Sequence, residues 1–345
     1  MRTPAAVSLA AEPLAAPPGA PPPPARPAAV AAAVAAAVAM DTLVSIEVVG
    51  AAAAGPAVAR ALGWFGRVED VCSRFDPGSE LRRLCARVGE PVPASPVLFE
   101  AVRFALALAA RTRGAFDPTV GAALAARGFD RHYATGERFP VAAPAGAATY
   151  RDVRLDAARR TITLRRPLVL DLGAVAKGLA IDLAARELGA FDGFCVDAGG
   201  DLLVAGRTAQ GRPWRVGVRH PRDGRALACA LDVGAGAVCT SGDYERRTPD
   251  GAQHHLLDPR TGASAGALAS ATVIAPTAMA ADGLATAAFV LGPERGLRLL
   301  HREGVEGVLI DPTGGQRLTD GLRPPPAPAA PALPTPARRR IAPCA

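Results

Sequence analysis

Three groups of residues in this chain have types and spacings that could do chemistry. The first is Leu170-Asp171-Leu172-Gly173-Ala174-Val175-Ala176-Lys177-Gly178, a junction between a strand-like run (Thr161 to Leu170) and a helix-like run (Val175 to Leu188). A helix N-terminus there offers free N–H groups and a partial positive charge to an anion. Lys177 is the single lysine among 39 basic residues, in a chain that otherwise uses arginine. An ammonium is a compact point charge, suited to one close contact in a crowded pocket. Its expected contact is a nucleotide or the carboxylates that arrange one; a surface lysine is the plain alternative.

The second group is Asp282 and Thr286, four apart on the helical stretch Ala278 to Leu291 and therefore on one face. A carboxylate and a hydroxyl on an otherwise apolar helix make a hard oxygen site of the kind magnesium takes, usually with substrate phosphates completing the shell. A polar stripe bonded to a neighbouring loop would have the same spacing. The third group comprises Thr240-Ser241-Gly242-Asp243-Tyr244 and His254-His255-Leu256-Leu257-Asp258-Pro259, which hold two of the five histidines. A histidine at a strand end can serve as general base for an alcohol nucleophile, or it can be a satisfied structural residue. The chain has no HExxH or Walker sequence.

These groups must be positioned by the elements around them. Thr42 to Val49 alternates as a strand does. Pro56 to Phe75 reads as a helix, with Val58, Leu62, Phe65 and Val68 at helical spacing, and Asp76 to Ser79 as a turn. A second helix is expected from Ser95, as cap, to Arg111, with Pro96 at its first position. Short strands dominate beyond Tyr150: Thr161–Leu164, Phe194–Val196, Leu202–Ala205, Arg215–Val218, Cys229–Val233, Ala237–Thr240, His254–Leu257 and Ala271–Ala275. Helices Ala278–Leu291 and Pro293–Glu303 and a strand Gly307–Ile310 close the core. Blocks of strands joined by hairpin-like turns favour an α+β fold over a doubly wound parallel sheet.

Half of the 345 residues are hydrophobic, enough for a large core, and aromatics are only 4%. The formal charge of +7 owes much to Arg338-Arg339-Arg340 and its surroundings, and no aromatic-interleaved basic stripe appears. Nucleic-acid binding is not expected. The six cysteines show no CxxC and no framework spacing, which points to reduced thiols and a cytoplasmic setting. Residues 1–39 (Ala/Pro-rich) and 323–345 (Pro/Arg-rich) are expected to be disordered arms around a folded unit at 40–322. Ala28 to Ala39 is weakly hydrophobic and too short to span a bilayer. Export with membrane association is the alternative to the cytoplasm, and no transmembrane segment is expected.

Taken in order, several stretches resemble the FAD:protein FMN transferase (ApbE) family: Met40-Asp41-Thr42, Ser73 to Leu81, Gly114 to Gly121, the run through Gly178, Asp197-Ala198-Gly199-Gly200-Asp201, Thr240 to Arg246, His255 to Gly262, and Ala275 to Thr286. The resemblance covers about residues 40–322. It implies an ApbE-like fold with a mixed, largely antiparallel sheet flanked by helices. It also implies an enzyme that cleaves the FAD pyrophosphate with magnesium and attaches FMN to a threonine or serine of an acceptor redox protein, releasing AMP. By motif position, Met40, Phe75, Ala115, Phe116, Asp117, Asp171, Lys177, Thr240, Ser241 and Leu257 would hold the flavin nucleotide. Ala174, Asp282, Ala285 and Thr286 would hold the metal. His255 would be the base, and Asp282 would act with it in catalysis. The alternatives are magnesium-dependent hydrolysis of FAD to FMN and AMP, and a non-catalytic FAD-binding protein. Asp41 stands where the family usually has glycine, which places an extra negative charge near a nucleotide site.

Overall fold

The computed structural model describes residues 7–9, 32–50, 54–131, 136–138, 148–248 and 250–322. Its centre is an eight-stranded sheet in which every neighbouring pair is antiparallel. From one edge to the other it runs β14 (Gln316–Leu318), β13 (Glu306–Ile310), β12 (Ser270–Ala275), β11 (Gly236–Gly242), β8 (Asp201–Gly206), β7 (Gly193–Ala198), β3 (Thr42–Val49) and β2 (Ala32–Ala39). In β3, Val44, Ile46 and Val48 face the main core and are fully buried, as period-2 alternation requires. All six residues of β12 are buried, because this strand is covered on both faces.

One face carries helices α1 (Gly55–Cys72), α3 (Pro96–Arg111), α5 (Gly173–Glu187), α6 (Ala278–Leu291) and α7 (Pro293–Glu303), packed into a single apolar core. The other face is covered by a three-stranded sheet of β1 (Val7–Leu9), β10 (Asp223–Val233) and β9 (Trp214–His220), with a smaller core around Trp214, Leu231 and Ile310. A third sheet of β4 (Val92–Pro93), β6 (Thr161–Leu164) and β5 (Val153–Asp156), with short helices α2 (Glu80–Cys85) and α4 (Gly121–Ala126), completes the α+β fold. The five described cysteines are unpaired, and among the described residues no helix is long and apolar enough to cross a membrane.

Local chemistry explains the helix ends. Ser95 accepts from the Leu98 amide and Pro96 opens α3. At α6 the three N–H groups of the first turn are met by side chains, and the next begins the bonding within the helix. Asp182 of α5 accepts from Ala278 (2.7 Å) and Met279 (3.0 Å), the Thr277 hydroxyl accepts from Ala280, and the Thr277 carbonyl accepts from Ala281. One helix thus caps the other through a side chain, which fixes their relative position.

Three expectations are corrected. Residues 32–39 are not part of a disordered arm: they form β2, paired with β3 along all eight positions, because the ladder needs only backbone groups and alanine does not obstruct it. Val7–Leu9 likewise pairs with β10. The remainder of 1–39 and the 323–345 tail lie outside the described residues. His254–Leu257 is not a strand but is held by two single bridges, Arg247↔His254 and Leu257↔Ser264, since its backbone groups are divided among the Arg246 carbonyl, the Ser264 hydroxyl, the His254 ring and the Ala265 amide. The strand-like run from Thr161 ends at Leu164, before Pro167, which has no N–H for a ladder.

The crossing of α5 over α6 depends on a missing side chain. A Cβ at Gly178 would lie 2.5 Å from the Ala278 carbonyl oxygen and 2.6 Å from the Met279 Cα, both backbone atoms. Gly178→Ala should therefore force the helices apart and lower the unfolding free energy by about 1–3 kcal/mol. An unchanged denaturant midpoint would count against this close crossing.

Candidate active site

The α5–α6 crossing brings together the two most polar stretches of the core. Lys177, on the second turn of α5, forms an ion pair with Asp201 at the start of β8. Asp201 is almost fully buried, and its other oxygen accepts from the Thr240 amide of β11 at 2.9 Å. Burial works against the Lys177 charge, but the carboxylates of Asp201 and Asp282 outweigh it and hold its pKa above the usual range. Lys177 therefore pairs with a buried carboxylate rather than standing free in solvent.

Asp282 lies beside this pair, 7% exposed. Its pKa is raised by burial first and then by the charge of Asp201; Lys177 and the Gly178 N–H oppose the shift. One of its oxygens, Oδ2, is buried with no hydrogen-bond partner, an expensive arrangement for a carboxylate. Thr286 shares its hydroxyl with Ser241 of β11 at 3.0 Å, and Thr240 shares its own with Thr272 at 2.8 Å. The Ala174 carbonyl reaches α6 at Gly283, where a Cβ would stand 3.7 Å from its oxygen. Among the described residues no three His, Cys, Asp or Glu side chains assemble as a metal cluster. The donors here are one carboxylate, hydroxyls and carbonyls, which is a set for a hard cation.

A second group assembles where three loops meet in front of α5. Asp171 accepts from the Gly173 amide (2.8 Å) and pairs with Arg74 (2.5 Å); its own N–H donates to the Pro118 carbonyl. The Arg74 guanidinium lies 4.1 Å over the Phe75 ring and donates to the Phe129 carbonyl. Phe129 in turn sets its ring edge-on to His255, with centroids 6.5 Å apart. The His255 Nδ1 lies 3.3 Å from the Arg246 carbonyl. With Nδ1–H donating to that oxygen, Nε2 keeps its lone pair. Burial, and then the Arg246 charge, lower the His255 pKa to about 4, so the ring is neutral at pH 7. Its neighbour His254 is structural: it bonds the Ala265 carbonyl at 2.9 Å and packs on Phe289.

The other expected site residues fall around these two groups. Met40 and Asp41 form the turn between β2 and β3, both with positive φ (52° and 61°), which fits the family's preference for glycine at the second position. Asp41 meets Arg246 at 3.4 Å, so its charge has a cationic partner. Both Asp117 oxygens are occupied, by the Thr119 amide and hydroxyl and by the Tyr150 amide. Ala115, Phe116, Leu257 and Ala285 are buried.

Arg74 and Asp201 were given no role by the sequence. Arg74 is one arginine among many. Asp201 could have been singled out as the only described buried carboxylate directly following a glycine pair, Gly199-Gly200.

Known proteins resemble this chain over most of its length. A model of the ApbE family matches residues 40–309. The FAD:protein FMN transferase of Klebsiella pneumoniae (strain 342) is 34% identical over 232 residues, covering 64% of this chain and 66% of that protein, just under two thirds of its length. The protein of the same name from Treponema pallidum (strain Nichols) is 35% identical over 278 residues, 74% of this chain and 76% of the relative. A crystal structure of an ApbE protein from Thermotoga maritima superimposes with a TM-score of 0.76 at 30% identity, covering 84% of this chain and 97% of that one.

The buried charges make a direct prediction. Lys177→Met leaves Asp201 and Asp282 without their cation and should lower stability by about 3–5 kcal/mol. Adding Asp201→Asn should recover much of the loss in urea unfolding. A lysine in solvent would show neither effect.

Proposed function

This chain belongs to the ApbE family, and on that premise we propose that it is an FAD:protein FMN transferase, cleaving FAD and joining FMN to a threonine or serine hydroxyl of an acceptor redox protein. The single observation that carries this reading is the pairing of a neutral histidine, His255, with a separate oxygen-donor site whose carboxylate, Asp282, has a buried oxygen without a partner. The unsatisfied oxygen fits a hard cation. Asp282, Thr286 and the carbonyls of Ala174 and Ala285 would hold magnesium, which when bound offsets charge on the pyrophosphate and on departing AMP.

In the proposed reaction the acceptor hydroxyl gives its proton to His255 Nε2. Its oxygen forms a bond to the FMN phosphorus as the P–O–P bond breaks, and AMP leaves with the electron pair. A pKa near 4 makes the unliganded imidazole a weak base, but it also keeps the ring unprotonated until substrate arrives. The negative charges of the pyrophosphate then raise its basicity. Met40, Phe75, Ala115, Phe116, Asp117, Asp171, Thr240, Ser241 and Leu257 would line the nucleotide, with Phe75 offering its ring for stacking. Lys177 acts one step back, holding Asp201 and neutralising Asp282. The Asp41–Arg246 pair answers the repulsion that Asp41 would otherwise bring to the phosphates and so weighs against a non-catalytic role. The unpaired thiols support a reducing, cytoplasmic setting.

Incubation of the protein with FAD and magnesium, with and without an acceptor protein, tests the reading. AMP release that requires the acceptor is expected; release without one would mean hydrolysis, with water in the place of the alcohol. Asp282→Asn should nearly abolish AMP formation, while Thr286→Ala, losing a weaker ligand, should mainly raise the magnesium concentration needed. Magnesium affinity should improve with FAD but not with riboflavin, which lacks phosphates. Normal magnesium-dependent turnover by Asp282→Asn would refute the metal assignment. His255→Ala should retain FAD binding and slow transfer by roughly 100-fold or more; equal loss of binding would mark the residue as structural.

A further inference from the structure

We propose that Arg74 is a positioning residue for His255: it ties the loops of Phe75, Asp171 and Phe129 together, sets Phe129 against the imidazole and neutralises Asp171. This rests on the assignment of His255 as the base. The geometry is that of a buried hub. Arg74 is 6% exposed, and its guanidinium meets Asp171, the Phe129 carbonyl and the Phe75 ring at once. These partners come from separate segments: the end of α1, the end of α4 and the approach to α5. Phe129 carries the constraint to the His255 ring, which it meets edge-on.

Stability alone does not account for this arrangement. The third guanidinium nitrogen, Nη1, is buried without a hydrogen-bond partner, and a buried donor left unpaired destabilises the fold. Such a defect is tolerated where a site requires it. The requirement here is electrostatic. The charged and titratable groups acting on His255 are Arg246 and His254, which together with burial lower its pKa, and Asp171, which raises it. If Asp171 lost its counter-ion, its full negative charge would act on the imidazole and favour the protonated ring. From a midpoint of about 4 the resulting rise leaves the ring neutral at pH 7 but moves the acid limb of the reaction toward neutrality.

The test is the titration of the His255 ring by NMR, assigned with His255→Gln, in the wild type, Arg74→Gln and Arg74→Gln/Asp171→Asn. The wild-type midpoint is expected near 4. Arg74→Gln should raise it by about one pH unit or more, the usual effect of an uncompensated carboxylate at short range. The added Asp171→Asn should bring it back to the wild-type value or below. The acid limb of the kcat/KM profile for AMP formation should move with the midpoint. A folded Arg74→Gln protein with an unmoved midpoint overturns the proposal. If Arg74→Gln does not fold, Asp171→Asn alone decides: the midpoint should fall, because Arg74 is then uncompensated, and a constant or higher value overturns it. Failure of the wild type to release AMP would strike at the transferase reading but leave the titration interpretable. AMP release with an unmoved titration would strike only at Arg74.

Discussion

The structure turns on the burial of two carboxylates and one ammonium where α5 crosses α6. Asp201 and Asp282 lie almost wholly out of water, and among the described residues Lys177, paired with Asp201, is the cation that acts on both. One cation cannot neutralise two anions, so the centre is left with an excess of negative charge in a medium of low dielectric. Burial first, and then the charge of Asp201, raise the pKa of Asp282, one of whose oxygens is unpaired. A divalent cation would offset that excess, and its remaining charge would attract any phosphate placed beside it.

Everything around the centre works to hold its parts at fixed distances. The absence of a side chain at Gly178 lets the helices approach to backbone contact, and Asp182 ties the first turn of α6 directly to α5. Burial raises the Asp182 pKa to about 6 even though two amides donate to it, a sign of how enclosed the junction is. The sheet beneath supplies the remaining fixed points: Asp201 from β8, and Thr240 and Ser241 from β11. The half of the site that holds Asp282 and Thr286 is therefore built on rigid elements, where geometry is best controlled.

The half that contains His255 is different. It is made of loops, drawn together by Arg74 and by the Arg246 carbonyl. Loops carried on a rigid scaffold are where binding residues are disproportionately found. The two halves meet through Arg246, whose charge reaches both His255 and Asp282 while its side chain pairs with Asp41. Asp41, at first sight a hazard to a phosphate site, is thus part of an ion pair at the junction.

What the sequence determined by itself was local. Helices Pro96–Arg111, Ala278–Leu291 and Pro293–Glu303 begin and end where their caps and prolines place them, because those signals act within one turn. The alternation in β3 and the shared face of Asp282 and Thr286 are equally local consequences of backbone period. The order of the motifs was enough to point to the family. Only the tertiary structure decided who pairs with whom. Ala32–Ala39 became a strand because β3 offered it a ladder, and nothing in an alanine-rich run announces that. Lys177 found Asp201, Arg74 found Asp171, and Asp41 found Arg246 across 24, 97 and 205 positions of chain. Ion pairs and ladder hydrogen bonds form between groups that folding brings together, and their partners leave no periodic trace in either segment alone.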